Sequence, residues 1–282
     1  MGTSEPIAIR PSWTGALKAY VKPYWDHLLD GPWAEGVANG RLTLSEMQSW
    51  MLQMYPFIHA FPKFLAEALI KVEDDYSRSF FINNIRVEKA HAEHWLWMGT
   101  GFGVRRGDML TLAEGTQPLP RDVQSLTDWL WYINCKGCLA EAVAATSFAV
   151  EGVAGDIARK VTAGFQWYKD DPGVDLSPKT YRWMKEHAHY DDQHPKIALE
   201  IVERYATSER MQTRAMLCAK RSLELLDNAL ITSYRAASGV PTSPGIARRD
   251  QSSSDRRRVH VPITFPERRV GERRGLQSRI AA

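Results

Sequence analysis

The sequence predicts an all-α fold, and three observations support this prediction. Apolar residues recur at three- and four-residue spacing over most of residues 12–237, as they do on the buried face of a helix. No segment of residues 1–240 shows the alternation that is typical of a strand. Ten Trp, ten Tyr and nine Phe indicate bulky packing around an enclosed pocket. We therefore expect a bundle of about seven helices.

The predicted helical segments follow one another with recognisable start and stop signals. Thr43 and Glu46 have the spacing of a capping box, and Pro56 and Pro62 are expected to kink or divide the helix that follows. Ser177 and Pro178 are expected to begin the helix that contains His187. The segments, in order, are residues 12–29, 44–69, 76–98, a region from 121 to 161 bent at glycines, 178–200 and 209–237, with residues 104–120 as a connection.

Charge and composition divide the chain into three regions. We expect a flexible lead-in at residues 1–11, a helical domain at 12–238 and an Arg-rich tail at 239–282. Residues 241–282 contain ten Arg and four acids, a net +6, so that a total of +3 leaves −3 for residues 1–240. The tail has few core residues and is expected to be disordered and solvated, with contact to an anionic partner as the alternative.

Several classes of protein are excluded by simple features of the sequence. No run of 18 apolar residues is present, so we expect no transmembrane helix. The N-terminus lacks the basic and apolar pattern of a signal peptide. Cys135, Cys138 and Cys218 do not form a disulfide framework, which favours a reducing cytoplasm.

Three metal-binding side chains are spaced to lie on one stripe of one helix. His187, Asp191 and His194 stand at positions i, i+4 and i+7, within roughly 60° of one another on a helix. Exposed His and Asp need no such alignment, whereas a metal ion does. The neighbouring His189 and Asp192 point to other faces and are interpreted as ordinary or supporting residues.

Other predicted helices supply further ligands. Glu88 and His91 form an E-x-x-H pair, and Glu151 lies within an otherwise apolar run, where an unpaired carboxylate is costly to bury. With the His187 stripe, these residues give three His and three carboxylates, a set that fits two metal ions with a bridging carboxylate.

Nitrogen and oxygen ligands without thiolate suit iron or manganese better than structural zinc, although a hydrolytic zinc or manganese site stays possible. Each element also has an ordinary interpretation: an exposed E-x-x-H pair, or a salt bridge from Glu151 to Arg159 or Lys160. His94 is expected to support the site or to pack. His59 and Glu67 could add a ligand, but a core or surface role is the better interpretation.

At these residues the chain resembles the haem-oxygenase-like non-haem di-iron oxidases and oxygenases, which share a fold with thiaminase-II and the pyrroloquinoline-quinone maturation oxidase. The H-x3-D-x2-H pattern of that family matches His187, Asp191 and His194, its middle-helix Glu matches Glu151, and its Glu-plus-His helix matches Glu88 and His91. The resemblance covers residues 12–236.

The resemblance implies a seven-helix bundle that activates dioxygen at two iron ions. Glu88, His91 and His187 would largely serve one iron, Glu151, Asp191 and His194 the other, with one Glu bridging. Members of the family oxidise small organic acids, amino acids or amines by N-oxygenation, desaturation or C–C cleavage, and homodimers are common for the fold.

Two details refine this expectation. The E-x2-H spacing is similar to that of the fatty-acid decarboxylating oxidases. Val150 stands where the para-aminobenzoate-forming subgroup carries Tyr, which argues against that chemistry. Two alternatives remain: a metal-independent enzyme of the thiaminase-II or quinone-maturation type, and a ligand-binding regulatory protein whose basic tail contacts a partner.

Overall fold

A computed structural model describes residues 13–190 and 194–238 of the chain. All regular secondary structure within these residues is helical. The α-helices are α1 (Trp13–Leu29), α2 (Pro32–Ala38), α3 (Leu44–Leu69), α4 (Asp75–Gly101), α5 (Arg106–Ala113), α6 (Arg121–Lys136), α7 (Leu139–Val143), α8 (Glu151–Val161), α9 (Arg182–Tyr190), α10 (His194–Tyr205) and α11 (Glu209–Arg235). A π-helix, Ala144–Val150, joins α7 to α8, and 3-10 helices follow α8 (Thr162–Tyr168) and α11 (Ala236–Ser238). The predicted all-α class is confirmed.

The two long helices α3 and α11 pack on each other at the centre of the bundle. Helix α3 also contacts α4, α5 and α6, while α11 also contacts α1, α6, α7 and the π-helix. Buried aromatic and aliphatic side chains fill the space between these helices, including Trp50, Phe64 and Phe81. Helix α9 packs against both α4 and α8, and α8 also contacts α10, so the four helices that contain the described candidate ligands meet here.

Several boundaries differ from the sequence prediction. Helix α3 begins with the predicted capping box, in which Thr43 and Glu46 bond reciprocally, but it runs through Pro56 and Pro62 without a break. Packing of α3 on five other α-helices (α4, α5, α6, α7 and α11) offsets the hydrogen bonds that the two prolines remove. Short helices α2, α5 and α7 raise the number of helices above the predicted seven, and α5 lies inside the expected connection at residues 104–120.

The helix that contains His187 begins later than predicted. Residues 178–181 form turns, and α9 starts at Arg182 rather than at Pro178. The buried Thr180 closes this turn by donating from its hydroxyl to the carbonyl of Asp175, at 2.6 Å. Residues 191–193, like the predicted lead-in and the Arg-rich tail, lie outside the described residues.

The cap at the start of α4 makes a testable contribution to stability. Asp74 accepts hydrogen bonds from the Ser77 amide at 2.9 Å and from the Tyr205 hydroxyl at 2.7 Å, and the amide bond contributes most to lowering the Asp74 pKa to about 2. Replacing Asp74 by Ala is expected to lower the free energy of unfolding by about 1 kcal/mol at neutral pH. Because the pKa of the folded state is depressed, this contribution is present above the unfolded pKa near 3.8 and declines as the pH falls toward 2.

Urea unfolding at neutral pH and near pH 3 measures this loss. Asp75→Ala, which removes an exposed carboxylate from the same helical turn, is the matched control and is expected to cost less. An Asp74→Ala penalty that is the same at both pH values would contradict the role given to this carboxylate.

Candidate metal centre

Five of the six predicted metal ligands lie in the described part of the chain, and the structure places all five around one small buried cavity. The lining residues are Glu88, His91, Glu151, Gly155, His187, His194 and Pro195. The sixth predicted ligand, Asp191, lies outside the described residues, so its role stays a prediction. The prediction that one helix carries His187, Asp191 and His194 stays open for the same reason.

Glu88, His91 and His187 form the tightest group in this cavity. Their exposed fractions are 5%, 3% and 8%, and one potential ligand atom from each lies within 4.8 Å of the other two. Nδ1 of His91 lies 2.9 Å from Oε1 of Glu88, and the rings of His91 and His187 are 4.2 Å apart at their centroids. These three side chains could hold one metal ion with nitrogen and oxygen donors.

The orientation of His187 leaves one ring nitrogen available as a ligand. Its Nδ1 lies 2.9 Å from the carbonyl oxygen of Trp183, one turn earlier in α9. A carbonyl can only accept, so Nδ1 carries the proton and Nε2 carries the lone pair of the neutral ring. Burial lowers the pKa of His187 to about 3, which keeps the ring neutral at physiological pH. A backbone bond that fixes the tautomer in this way is typical of metal-ligating histidines.

Glu151 and His194 form a second acid–imidazole pair at the same cavity. Nδ1 of His194 lies 2.7 Å from Oε1 of Glu151, and the side-chain amide of Asn84 donates to the other carboxylate oxygen at 2.8 Å. Asn84 lies one turn before Glu88 on α4, so a single face of that helix contacts both carboxylates. A metal ion could replace the proton that each His shares with its carboxylate partner.

The electrostatics of the cavity favour a cation. Burial raises the pKa of Glu88 to about 7 and also raises the pKa of Glu151, whereas burial lowers the pKa of His91 to about 4. Two carboxylates are thus removed from water with few positive charges nearby, which disfavours their ionised forms. A bound metal ion would supply the missing positive charge, and the donor set of Glu88, His91 and His187 therefore fits a divalent ion.

A π-helix positions Glu151. Residues Ala144–Val150 are all buried, and Glu151 is the first residue of α8, which continues directly from them. π-helical segments are rare and often lie at functional sites, because they change the direction in which the following side chains point. Asn134 ties this segment to α6 by donating to the Thr146 hydroxyl at 2.7 Å.

Glu186 belongs to the outer layer of the site, although the sequence reasoning missed it. Its carboxylate lies 2.6 Å from Nδ1 of His94 and 3.6 Å from Nε2 of His91, and it is 2.5 Å from Nε of Arg182. The signal in the sequence was weak, because neighbouring residues of a helix point about 100° apart and Glu186 directly precedes His187.

The remaining sequence candidates do not line the cavity. His59 packs against Tyr55, with ring centroids 5.8 Å apart, and neither His59 nor Glu67 is among the lining residues. His189 is exposed and donates from Nδ1 to the Lys185 carbonyl, as an ordinary surface residue would. Glu151 forms its short contacts with His194 and Asn84, while Arg159 pairs with Asp156 and Lys160 with Asp30 and Glu35.

A second, larger cavity borders the metal-binding residues. It has about 570 Å³ of empty space including its mouth, and Glu88, Glu151 and His187 lie in its wall as well as in the first cavity. The rest of its lining is apolar and includes the four tryptophans Trp33, Trp50, Trp95 and Trp183. An apolar surface therefore lies directly beside the candidate metal ligands.

None of the helices in residues 13–190 and 194–238 combines the length and the apolar character needed to span a lipid bilayer.

Comparison with known families gives one match that covers most of the chain. A family model described as an iron-containing redox enzyme matches residues 48–227. The 4-aminobenzoate synthase of Chlamydia muridarum is 23% identical over 181 residues, which span 63% of this chain and 72% of the relative. The enzyme of the same name from Chlamydia trachomatis is also 23% identical over 181 residues, which span 74% of its length.

Solved structures establish the fold. A TenA homologue from Pseudomonas syringae superposes with a TM-score of 0.69 at 23% identity, covering 83% of this chain and 97% of its own. A domain from Shewanella denitrificans with a heme oxygenase-like fold gives a TM-score of 0.66 at 21% identity, covering 82% of this chain and 97% of its own. The predicted haem-oxygenase-like architecture is thereby confirmed.

Proposed function

Because the chain belongs to the family of iron-containing redox enzymes, we propose that it is a non-haem di-iron oxidase or oxygenase that uses dioxygen to oxidise a small organic molecule. In this proposal Glu88, His91 and His187 hold one iron, and Glu151, His194 and Asp191 hold the other. The observation that carries the proposal is the convergence of five nitrogen and oxygen donors from four helices on one buried cavity.

The residues of the chain have separate tasks in this proposal. Iron bound at the site would supply the redox chemistry with dioxygen. Glu88 and Glu151 would neutralise its charge, and the Trp183 carbonyl would hold His187 in the tautomer that presents Nε2. The apolar walls of the larger cavity would exclude water and hold the substrate beside the metal ligands.

The reaction itself is proposed only as an oxidation. The two chlamydial relatives are named 4-aminobenzoate synthases, yet Val150, a cavity-lining residue here, has no phenol that could take part in such a reaction. We therefore keep N-oxygenation, desaturation and C–C cleavage as the reaction classes. We also propose a cytoplasmic homodimer, by analogy with the family.

A metal-independent enzyme of the thiaminase-II type finds less support. Such an enzyme needs a nucleophilic Cys, and none of Cys135, Cys138 and Cys218 lines either cavity. Burial raises the pKa of Cys138 and raises that of Cys218 to about 12, which disfavours the reactive thiolate.

Metal analysis tests the proposed function. Protein reconstituted anaerobically with Fe(II) and freed of unbound metal is expected to hold about two irons per chain and to consume dioxygen on exposure to air. Reconstitution with Mn(II) or Zn(II) in parallel distinguishes a redox site from a hydrolytic one. A folded protein that retains no stoichiometric iron would contradict the proposal.

Glu186 provides a sharper test of the same site. With His91 facing the metal through Nδ1, the Glu186 carboxylate faces its other nitrogen, and carboxylates in that position orient the ring and strengthen its binding. Glu186→Gln is expected to weaken Fe(II) binding by roughly 10- to 100-fold.

Calorimetric titration of metal-free protein with Fe(II), and with redox-inert Zn(II), measures this loss without any turnover. Glu93→Gln is the matched control, because Glu93 lies on the same helix as His91 but pairs with Arg106 at 2.8 Å. Equal affinity of the Glu186→Gln and unchanged proteins would contradict the role given to Glu186.

A further inference from the structure

A small void inside the larger cavity is the part that a bound molecule can occupy. Of about 570 Å³ of empty space, about 60 Å³ is within reach of the centre of a water-sized molecule. A buried water needs roughly 10–15 Å³ by this measure, so the void has room for about four to six waters. It can hold a diatomic gas, whereas an organic molecule with a ring would have to displace side chains. We call it the apolar void, and its lining includes Met54, Ala154, Ile157, Leu226 and Leu230.

Four tryptophans in the wall of the apolar void hold one another in place. Ring centroids are 5.0 Å apart between Trp33 and Trp50, 5.4 Å between Trp50 and Trp95, and 4.9 Å between Trp95 and Trp183. The indole of Trp95 is also fixed by a hydrogen bond that it donates to the Met51 carbonyl at 2.8 Å. Rings in contact with each other in this way cannot turn into the void, so we expect the void to persist.

The tryptophans present apolar ring surface to the void rather than hydrogen-bond donors. The indole nitrogens of Trp33, Trp50 and Trp183 expose almost no surface and have no hydrogen-bond partner among the described residues. A buried water needs two to four polar partners, and away from the metal-binding residues the described lining is apolar. Apolar cavities of this kind stay dry and take up apolar guests such as xenon. We therefore expect the void to exclude water.

The apolar void borders the candidate metal centre on one side. Glu88, Glu151 and His187 lie in the wall of both cavities, whereas His91 and His194 line only the metal cavity. A molecule in the void is therefore in contact with three of the candidate ligands, with no further layer of protein between it and the metal cavity.

From these observations we infer that the apolar void binds dioxygen and holds it against the candidate metal centre. Dioxygen is small and apolar, and it dissolves better in apolar liquids than in water. An empty void forfeits the dispersion contacts of its lining atoms, and a bound gas molecule restores them. The inference rests on the proposed function, since dioxygen is the one of its two substrates that fits the void at this size.

NMR of methyl groups under dioxygen pressure tests the inference directly. Dioxygen is paramagnetic, so it shifts and broadens the signals of nearby methyl groups, and the effect falls steeply with distance. In the full-length, metal-free protein, the methyl signals of Met54, Leu226 and Leu230 are expected to change several-fold more than those of Leu112 and Val123. The latter two are equally buried but lie outside the cavity. Xenon, a diamagnetic probe, should shift the same three lining residues.

Variants locate the gas. Ala154→Leu adds three carbons to the wall of the void and is expected to abolish the effects of both gases. In iron-loaded protein it should raise the KM for dioxygen by about tenfold, as expected for the loss of roughly ten close atomic contacts, and change kcat less. Ala66→Leu is the matched control, because it adds the same carbons at an exposed position of α3. Ile157→Val enlarges the void and should strengthen the effects of both gases, which keeps the test decisive if Ala154→Leu does not fold.

The gas measurements separate this inference from the proposed function, because they need no iron. Selective changes at the lining methyl groups of a protein that fails to retain iron would leave the dioxygen site standing and contradict the proposed function. Three results would overturn the inference whatever the iron content. These are changes no larger than those of Leu112 and Val123, ordered water filling the void in a crystal structure, and gas effects that persist in folded Ala154→Leu or stay unchanged in Ile157→Val.

Discussion

Replacing Glu151 by Gln is expected to lower the iron content from about two per chain to about one and to reduce dioxygen consumption by at least about 100-fold. The neutral amide is a poor ligand and removes the charge that balances the second ion. Loss of a supporting residue alone weakens metal sites by 10- to 100-fold, so loss of a direct ligand should exceed that range. Elemental analysis and an oxygen electrode provide the two readouts.

The stability of the metal-free protein distinguishes this effect from misfolding. Burial raises the pKa of Glu151, which means that the ionised carboxylate does not stabilise the metal-free fold. Replacing it by the isosteric Gln should therefore change the free energy of unfolding by no more than about 1 kcal/mol.

Glu141→Gln is the matched control for Glu151→Gln. Glu141 is 1% exposed, accepts from the Cys138 amide at 2.8 Å and pairs with Arg214, outside both cavities. The Glu141→Gln protein should be less stable and keep its iron, whereas the Glu151→Gln protein should keep its stability and lose iron. Iron content unchanged in Glu151→Gln would refute its role as a ligand.

Replacing Gly101 by Ala is expected to destabilise the fold by about 2–3 kcal/mol. A Cβ atom at this position would lie 2.2 Å from the Thr180 hydroxyl oxygen and 2.8 Å from the Asp175 carbonyl oxygen, and the backbone cannot move aside as a flexible side chain could. The Asp175 amide also donates to the Gly101 carbonyl at 2.7 Å, so the two segments are joined closely.

The same substitution should weaken metal binding. Gly101 ends α4, which contains Glu88 and His91, and Thr180 precedes α9, which contains His187. Forcing these segments apart therefore separates the ligands. Urea unfolding and Fe(II) titration measure the two effects.

Gly107→Ala is the control for Gly101→Ala. Apart from the chain neighbours and the backbone of α5 itself, a Cβ atom at Gly107 would meet no atom of the described residues within 4 Å, and Ala there should stabilise the helix by about 0.5–1 kcal/mol. Equal stability of the two variants would contradict the tight packing at Gly101.

Local chemistry in the sequence predicted much of the fold. The capping box of Thr43 and Glu46 depends only on neighbouring residues, and it is present at the start of α3. The start of α9 was predicted wrongly because Ser177 and Pro178 also suit a turn, and that turn is stabilised by contacts of Thr180 with distant residues. The continuity of α3 through Pro56 and Pro62 likewise depends on tertiary packing.

In the candidate site, too, local spacing could be predicted from the sequence whereas contacts between helices could not. Spacing along a helix was enough to predict that Glu88 and His91 share a face. The contribution of Asn84 and Glu186 depends on contacts between helices that no local pattern records, and so does the packing of Trp95 against Trp183 beside His187. These residues look ordinary until α4, α8 and α9 are packed together.

The π-helix before Glu151 means that chain length, as well as residue identity, determines the geometry of the site. A π-helical segment has the register of an α-helix into which one extra residue has been inserted. If all seven residues of Ala144–Val150 wound as ordinary α-helix, everything after them would turn by about 100°. Glu151 would keep its neighbours in sequence and lose His194 and Asn84 in space. A relative whose segment is one residue shorter is therefore expected to form ordinary α-helix here and still direct its Glu to the site, so segment length and helix type must be compared together.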